Sequence, residues 1–499
     1  MRQIVAGLEQ KIVGLIDSDS SPGDSRVPER HLPRYETGSD GLDRILGGGF
    51  ISGSTYIIQG PPGAGKTILA NQFCFRNAVC GRSSLYISLL AESHDRMIAF
   101  MQGFDFFDAA LISKRMSYIS AFNSLQQGGL EGLLRLIKDE IRRLNATAVV
   151  LDGVFAARDI AESEHAFRRF IHELQGITNS QNCAMMLLTH QNHASSSPEY
   201  TMVDGWISLQ DDLEGVVAYR TLQVCKQRGS NFLGGKHAFR IGDAGLLVFP
   251  RLESTLNRVP GSDLGTGRLR SGIPGIDSML SGGLPACSAT LVMGPTGSGK
   301  TTMGLQFLTY ATPQEPALLL SFYETPTRLS LKAKNIGIDF DAMIESGALE
   351  IMWYPPTEII VDEVAHELLH RVQRKGIKRL FVDGVVALRD CLIPHTRLPG
   401  LLNALNKRLR ELGATTVYSS EIRQVFMPDK LPSDEISAMI DNLLLLTYSE
   451  QGDLLQRRIS VLKLRDSTFD AHAHEIYIGE GGLTFGPDPR LWQGNHAGT

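Results

Sequence analysis

Two segments of the sequence fit the phosphate-binding loop pattern G-x-x-x-x-G-K-[ST]. They run from Gly60 to Thr67 and from Gly294 to Thr301. Each follows an apolar run typical of a strand and precedes a run typical of a helix, which is the local context that such a loop requires. One match in a chain of 499 residues can arise by chance. Two matches in the same context predict two nucleotide-binding sites.

The residue types in these loops suit phosphate binding. Glycine allows the tight turn that directs backbone N–H groups at phosphate oxygens, and the following helix N-terminus favours negative charge. We expect Lys66 and Lys300 to reach the β- and γ-phosphates, and Thr67 and Thr301 to offer Mg²⁺ a hydroxyl ligand. The predicted phosphate-contacting residues are Gly60, Gly63, Ala64, Gly65, Lys66, Thr67, Gly294, Gly297, Ser298, Gly299, Lys300, Thr301 and Thr302.

The similarity between the two segments extends beyond the loops. When the chain is laid over itself at an offset of 234 residues, the difference between positions 300 and 66, many residues recur as the same type. They are Gly38, Gly41, Asp43, Leu46, Gly48, Gly49, Ser54, Gly60, Pro61, Gly63, Gly65, Lys66, Thr67, Gln72 and Phe73. The chain therefore contains an internal duplication.

In each copy, short apolar runs alternate with longer helical segments. The predicted strands are Thr55–Gln59, Leu85–Leu89, Ala148–Leu151 and Ala184–Thr189, then Thr290–Met293, Ala317–Phe322, Arg379–Val382 and Thr415–Ser419. Continuous apolar strands separated by helices are typical of a mainly parallel sheet covered on both faces. The sequence thus predicts an α/β fold, with a flexible tail at 1–34, a first domain at 35–250, a linker at 251–268, a second domain at 269–487 and a short tail at 488–499.

Composition narrows the classes of function. The net charge of −5 gives no overall attraction to nucleic acid, so we expect no nucleic-acid partner. The absence of an apolar run of about 18 residues and of a signal-peptide pattern predicts a cytoplasmic protein without a membrane partner. The six cysteines form no C-x-x-C pair and are interpreted as reduced. His472 with His474, and His190 with His193, are interpreted as surface or turn residues rather than metal ligands.

Acidic residues follow the apolar strands in both copies. Asp152 and Asp383 end buried runs and are predicted to be the acidic partners of Mg²⁺, the alternative being residues that cap a turn. Hydrolysis also needs a carboxylate that orients or deprotonates the attacking water. Glu92 and Glu324 are the candidates, and the alternative for each is a solvated loop carboxylate.

With these residues in place, the sequence resembles the RecA-like ATPases, most closely the KaiC family of double-domain clock ATPases and their non-clock relatives. The resemblance covers roughly Thr37 to Gly486. It rests on the paired loops, the glycine-containing lead-in before each, the strand-end aspartates, and the late segments Lys226-Gln227-Arg228-Gly229 and Lys463-Leu464-Arg465. It implies two tandem RecA-like P-loop domains that use ATP and Mg²⁺.

The resemblance also implies roles for the glutamates and for the late cations. The family usually has two adjacent glutamates at the strand end, whereas Ala91-Glu92 retains only the second and Glu324-Thr325 only the first. Glu324 is therefore the better candidate for the base. In the family the late strand faces the nucleotide of the next subunit, which implies a homo-oligomer, by analogy a hexamer, with in-trans roles for Lys226, Arg228, Lys463 and Arg465. The alternative interpretation is that these cations are solvated surface charges.

Clock members of the family phosphorylate an adjacent Ser-Thr pair in their second domain. Alignment of the segment 431–438 leaves Ser437 at the first site and Ala438 at the second, so a two-site phosphorylation cycle is not expected. The main hypothesis is an ATP-hydrolysing ring whose nucleotide state controls contacts with unidentified protein partners, with residual serine/threonine autokinase activity at Ser437. The alternatives are a nucleic-acid-dependent RecA-like ATPase and a nucleotide-binding scaffold that does not hydrolyse ATP.

Overall fold

The computed structural model describes residues 32–90, 94–190, 198–214, 217–256, 267–357, 359–422, 439–451, 454–465 and 467–486. Within these residues the chain forms two nine-stranded sheets with helices on their faces, together with two small two-stranded sheets. The predicted α/β fold of two tandem RecA-like domains is confirmed, because both large sheets are mainly parallel.

In the first copy the strands are β1 (Arg34–Tyr35), β2 (Phe50–Ile51), β3 (Thr55–Gln59), β4 (Ser83–Ser88), β5 (Met116–Ser120), β6 (Ala146–Asp152), β7 (Ala184–Thr189), β8 (Gly205–Glu214), β9 (Val217–Gln227), β10 (Lys236–Gly242) and β11 (Gly245–Phe249). The helices are α1 (Asp40–Leu46), α2 (Lys66–Val79), α3 (His94–Met101), α4 (Phe122–Leu144), α5 (Val154–Ile160), α6 (Glu164–Ser180) and α7 (Pro198–Met202). A 3-10 helix covers Ala109–Leu111.

In the second copy the strands are β12 (Arg268–Leu269), β13 (Leu284–Pro285), β14 (Ala289–Gly294), β15 (Ala317–Ser321), β16 (Leu349–Trp353), β17 (Arg379–Asp383), β18 (Thr415–Glu421), β19 (Asn442–Gln451), β20 (Leu454–Leu464), β21 (His474–Gly479) and β22 (Gly482–Phe485). The helices are α8 (Pro274–Met279), α9 (Lys300–Leu308), α10 (Pro326–Lys334), α11 (Phe340–Glu345), α12 (Val361–Lys375), α13 (Val385–Cys391) and α14 (Leu398–Glu411). Further 3-10 helices cover Leu252–Thr255 and His395–Arg397.

The two large sheets have the same strand order. In the first it is β11-β10-β9-β8-β3-β7-β6-β4-β5, and in the second β22-β21-β20-β19-β14-β18-β17-β15-β16. The strands from β8 to β5 pair in parallel, whereas β8, β9, β10 and β11 form an antiparallel edge, and the second sheet repeats this division. The phosphate-loop strands β3 and β14 each lie between two parallel neighbours, which places their carboxyl ends at the middle of one edge of the sheet.

Both faces of each sheet are buried, as the continuous apolar strands predict. Successive residues of β3 belong to different cores, because side chains alternate across a strand: Ile58 packs with the phosphate-loop helix α2, and Ile57 with the helices α4 and α6. Leu291 and Val292 of β14 divide in the same way between two cores of the second copy. Each loop therefore extends from a strand that is fixed by packing on both sides.

The segment that joins the copies packs against the second one. Leu252, in the 3-10 helix, is only 2 % exposed and belongs to a core of the second copy. Arg397 forms ion pairs with Glu253 at 2.8 Å and with the buried Asp362 at 2.9 Å. Further contacts between the copies join Arg240 to Glu363 at 2.8 Å. Part of the predicted linker thus lies in a packed and charged interface.

Replacing Arg397 with alanine is expected to lower the free energy of unfolding of the second copy by about 3–5 kcal/mol, because the buried Asp362 carboxylate loses its cation. Urea unfolding followed by circular dichroism measures this change. Arg389→Ala is the matched control, because Arg389 pairs with Asp390 on the surface and should cost less than about 1 kcal/mol. Equal small losses in the two variants would contradict the role given to Arg397.

Candidate functional site: paired phosphate loops

The two phosphate loops have the same backbone form. Each begins at the end of its central strand and leads directly into the helix that starts at Lys66 or Lys300. Gly65 and Gly299, the residues before these lysines, have φ values of 94° and 107°, which favour glycine. A Cβ atom on either would also approach an isoleucine side chain to 2.8 Å or 2.7 Å. The pattern therefore reflects both a backbone and a steric requirement.

The loop lysines lie against their own loops. The ammonium groups of Lys66 and Lys300 donate to the carbonyl oxygens of the first two residues of their loops, at 2.8–2.9 Å. Partial burial lowers the pKa of both lysines, and the charges of nearby carboxylates oppose this effect. Both ammonium groups are thus held where a phosphate bound by the loop would meet them.

The strand-end aspartates Asp152 and Asp383 lie beside the loops. Asp383 accepts a hydrogen bond from Ser419 at 2.6 Å, and its nearer carboxylate oxygen is 3.2 Å from the Thr301 hydroxyl. Asp152 accepts a hydrogen bond from the buried Tyr86 hydroxyl at 2.6 Å. Burial raises the pKa of Asp383. The Thr301 hydroxyl and the buried Asp383 carboxylate thus lie side by side, and hydroxyl and carboxylate oxygens are ligands that suit Mg²⁺.

A cavity of about 340 Å³ opens beside the first loop. Lys66, Thr67 and Asp152 line it, together with two histidines, His94 and His190. Within the described residues, His94 Nε2 and His190 Nδ1 are buried without a hydrogen-bond partner. Burial also lowers the pKa of His94. His190, for which the sequence predicts a surface or turn role, therefore lies at the predicted nucleotide site.

Of the two predicted glutamates, the structure describes Glu324 and not Glu92. Glu92 lies outside the described residues, as do Ser437 and His193. Glu324 follows β15, and its carboxylate forms an ion pair with Lys332 and lies 3.9 Å from Arg328. The side chain is 23 % exposed. Glu324 is therefore a partly buried carboxylate held by cations of α10 rather than a freely solvated one.

The late cations lie away from the loops of their own copies. The backbone N–H of Arg228 donates to Asp204, whose own N–H donates to Thr55 at the start of β3. The loop begins five residues later, about 16 Å along the strand at about 3.3 Å per residue. Arg465 is connected in the same way, through Asp441, to Ala289 at the start of β14. Both arginines lie near the opposite edge of the sheet from their own phosphate loops.

Carbonyl oxygens and carboxylates hold these cations. Lys226 donates to the carbonyl oxygens of Tyr200 and Thr201, and Arg228 to those of Thr201 and Met202. In the second copy, Lys463 donates to the Ile440 carbonyl oxygen at 2.6 Å, and Arg465 pairs with Asp441 at 3.3 Å. The contacts orient each Lys–Arg pair on the rim of its sheet.

The sequence interpretation missed a third group at the second site. Glu421 ends β18, the strand beside β14, and its carboxylate accepts a hydrogen bond from the Thr296 hydroxyl in the loop. By strand register it corresponds to His190 of the first copy. The signal was present in the sequence, because Glu421 follows the predicted strand Thr415–Ser419, but only the register shows that this strand borders the loop.

His472 and His474 share one carboxylate partner. The His472 and His474 side chains contact Asp470 at 2.7 Å and 2.8 Å. The backbone N–H of His472, which also donates to Asp470, and these two contacts lower the pKa of Asp470. Within the part of the chain that the structure describes, no group of three or more His, Cys, Asp or Glu side chains is arranged to hold a metal ion.

None of the described helices has the length and apolar character that crossing a membrane requires.

The fold and the loops define a class: a protein with two tandem RecA-like P-loop ATPase domains. A family model described as "ATPase: KaiC" matches residues 35–253 and 269–490. The chain therefore belongs to the KaiC ATPase family. Curated relatives include the "Circadian clock oscillator protein KaiC" of Picosynechococcus sp., which is 26% identical over 465 residues, covering 90% of this chain and 89% of the relative. The protein of the same name from Thermostichus vulcanus is 26% identical over 505 residues, covering 98% of this chain and 95% of the relative.

Asp383→Asn is expected to raise the melting temperature of the nucleotide-free protein at neutral pH while weakening Mg²⁺-dependent ATP binding at the second site. The folded-state pKa of Asp383 is raised, so its ionisation costs stability. This cost is absent below the unfolded pKa of about 3.9 and grows until the pH passes the raised folded-state value. Asparagine does not ionise and avoids the cost.

Thermal unfolding of both proteins without nucleotide, at about pH 4.5 and about pH 7.5, tests this expectation. The melting temperature of the variant relative to the wild type should rise with pH. Asp390→Asn, on the surface of the same copy, should show no such trend, because Asp390 is exposed and pairs with Arg389. A variant that melts lower than the wild type by the same margin at both pH values would contradict the assigned cost.

Proposed function

We propose that this KaiC-family ATPase is an ATP-hydrolysing ring protein whose nucleotide state controls contacts with partner proteins. The observation that carries the proposal is the repetition, in one chain, of a phosphate loop, a loop lysine, a hydroxyl and a strand-end aspartate. The proposal includes a cytoplasmic location and residual serine/threonine autokinase activity in the second copy. Ser437, the candidate acceptor, lies outside the described residues.

In the proposed mechanism the chain's own groups bind and orient ATP. The loop N–H groups and Lys66 or Lys300 would bind the phosphates, because each lysine lies against its own loop. Thr67 with Asp152, and Thr301 with Asp383, would hold Mg²⁺, which neutralises developing charge on the phosphates. Glu324 would orient the attacking water in the second site, and Glu92 is the corresponding candidate in the first.

The proposed assembly is a homohexamer whose nucleotide sites borrow cations from the neighbouring subunit. What supports it is the position of Arg228 and Arg465 near the opposite edge of the sheet from their own loops. Within one chain they are too far from the phosphates to neutralise them, whereas in a closed ring one edge can face the other of the next subunit. Lys226 and Lys463 lie near the ends of β9 and β20, two residues before these arginines, and share this role.

One observation favours a second candidate function, a nucleotide-binding scaffold without hydrolysis. One oxygen of the Glu324 carboxylate accepts a hydrogen bond from Lys332, so in this arrangement that oxygen is not available to align a water. In that case the chain would bind ATP at both loops without releasing phosphate. Turnover measurements distinguish the two functions.

Glu324→Gln is expected to lower ATP turnover by roughly tenfold or more, because a general base contributes about 10²–10⁴. Incubation with ATP labelled on the γ-phosphate, with both free phosphate and protein-bound label followed, measures hydrolysis and autokinase activity together. Glu345→Gln, at an exposed position on α11, is the control and should leave turnover unchanged. Unchanged turnover in Glu324→Gln, with loss in Glu92→Gln, would move the chemistry to the first site.

Assembly should depend on nucleotide, because phosphates that contact a neighbouring subunit link binding to association. ATP with Mg²⁺ is expected to shift the protein from small species to a ring. Arg228→Ala should weaken this shift and leave the subunit folded, since an exposed cation contributes little to stability. Mass photometry with and without ATP measures the species, and Arg168→Ala on the exposed side of α6 is the control. A protein that stays monomeric at saturating ATP would exclude the in-trans role.

A further inference from the structure

The second nucleotide site contains a carboxylate that lies closer in the sheet to the phosphate loop than Glu324 does. Glu421 is the last residue of β18, which pairs directly with the loop strand β14. Glu324 follows β15, which is separated from β14 by β17 and β18. Neighbouring strands are about 4.8 Å apart, so the strand of Glu324 lies about 14 Å from the loop strand. Glu324 must reach the nucleotide from a connecting segment, whereas Glu421 is already at the loop.

Glu421 is attached to the loop by a side-chain hydrogen bond. The Thr296 hydroxyl donates to the Glu421 carboxylate. On the other side of the loop, the Tyr448 hydroxyl donates to the Thr296 carbonyl oxygen at 3.4 Å, and Arg457 donates to that of Gly297 at 3.2 Å. The loop is therefore held between β18 and the hairpin of β19 and β20. These contacts fix the position of the carboxylate relative to the phosphates that the loop binds.

The charge of Glu421 acts on groups that belong to the site. Its carboxylate is one of the negative charges that act on the Lys300 ammonium group. Burial is the main cause of the raised pKa of Tyr323, the residue before Glu324, and the charge of Glu421 adds to it. Glu421 thus lies within electrostatic range of both the loop lysine and the segment that carries the predicted base.

The first copy has different residues at each of these positions. Pro62 replaces Thr296 by sequence offset and has no hydroxyl, and His190 replaces Glu421 by strand register. Asp211 and Arg220, which form an ion pair at 3.2 Å, replace Tyr448 and Arg457. The hydroxyl donor and the carboxylate acceptor therefore occur together in the second copy and are both missing at the corresponding positions of the first.

We propose that Glu421 is a further catalytic residue of the second site, whose carboxylate orients the water that attacks the γ-phosphate. This inference rests on the proposed hydrolytic function of that site. Glu324 is followed by Thr325, where the family resemblance implies a second glutamate, and Glu421 supplies a second carboxylate from a neighbouring strand. Thr296 is a positioning residue, because it acts through Glu421.

The reaction balances without any further reactant. The water oxygen forms a bond to the γ-phosphorus, and the bond from that phosphorus to the bridging oxygen breaks, with ADP leaving with the electron pair. One hydrogen of the water stays on the inorganic phosphate, and the other leaves as a proton through the carboxylate to solvent. Glu421 provides an acceptor for the hydrogen bond that aligns this water.

The test uses the full chain and measures ATP turnover with the stoichiometry of bound ATP. Lys300→Ala defines the turnover that belongs to the second site, as the part of the wild-type rate that this variant loses. Glu421→Gln retains an oxygen that can accept from Thr296 but removes the charge, and should lower the second-site rate by roughly tenfold or more. Two nucleotides per chain should still bind, because the loop and its lysine are intact.

Thr296 provides a second variant. Thr296→Val removes the hydroxyl and leaves Glu421 in place, so kcat of the second site should fall several-fold while KM for ATP stays the same. Thr296→Ser, which restores the hydroxyl, should recover the wild-type kcat. A purely structural role of the pair would instead change ATP binding and melting temperature together. Glu345→Gln is again the control for a lost surface carboxylate.

The outcomes distinguish the proposed hydrolysis at the second site from the proposed role of Glu421 in it. Loss of the second-site rate in both Glu324→Gln and Glu421→Gln supports the two-carboxylate site. Loss in Glu324→Gln alone leaves the proposed hydrolysis in place and overturns the role of Glu421. If Lys300→Ala removes no turnover at all, the second site does not hydrolyse ATP, and both the proposed function of that site and this inference fail.

Discussion

The parallel pairing of each phosphate-loop strand with a neighbour on both sides is the constraint on which the rest of the structure depends. Ile57 in β3 is level with Leu187 in β7 and with Trp206 in β8, and β14 is held in the same way. Because the carboxyl ends of parallel strands meet at one edge, this pairing gathers a loop, a strand-end aspartate and a strand-end acid or histidine at one place. The cores on both faces keep the central strand from shifting.

Most of the parallel core could be predicted from sequence, because buried parallel strands are continuous apolar runs. The predicted strands Thr55–Gln59 and Ala184–Thr189 have the bounds observed, and Arg379–Val382 is one residue short. The antiparallel edge was not predicted. Its long strands β8 and β9 mix buried, half-buried and exposed residues and carry charges, and the last four residues of β8 are all exposed, so these strands lack the signal of a continuous apolar run.

The residues of the candidate site also fall into two groups. Some can be found from short sequence patterns, and others only from the way in which distant segments pair. The loops, Asp152 and Asp383 are found from short local patterns, and the structure brings each aspartate to its loop. The partnership of Glu421 with Thr296 joins residues that are 125 positions apart, and it depends on which strand borders β14. A sequence pattern within one segment cannot show that β18 borders β14. For the same reason, the sequence assigned His190 to a surface or turn role although it lines the first site.

The segment that joins the copies shows that the repeat seen in the sequence and the packed domain of the second copy do not have the same boundary. By sequence, the second copy repeats from about residue 269 onward, in step with the matched range 269–490. By packing, its core includes Leu252. Arg397 of the second copy donates hydrogen bonds both to the buried Asp362 and to Glu253 of the joining segment. The evolutionary unit and the folding unit therefore begin at different residues. A gene fragment cut at the repeat boundary would encode a second copy that lacks part of its own interior.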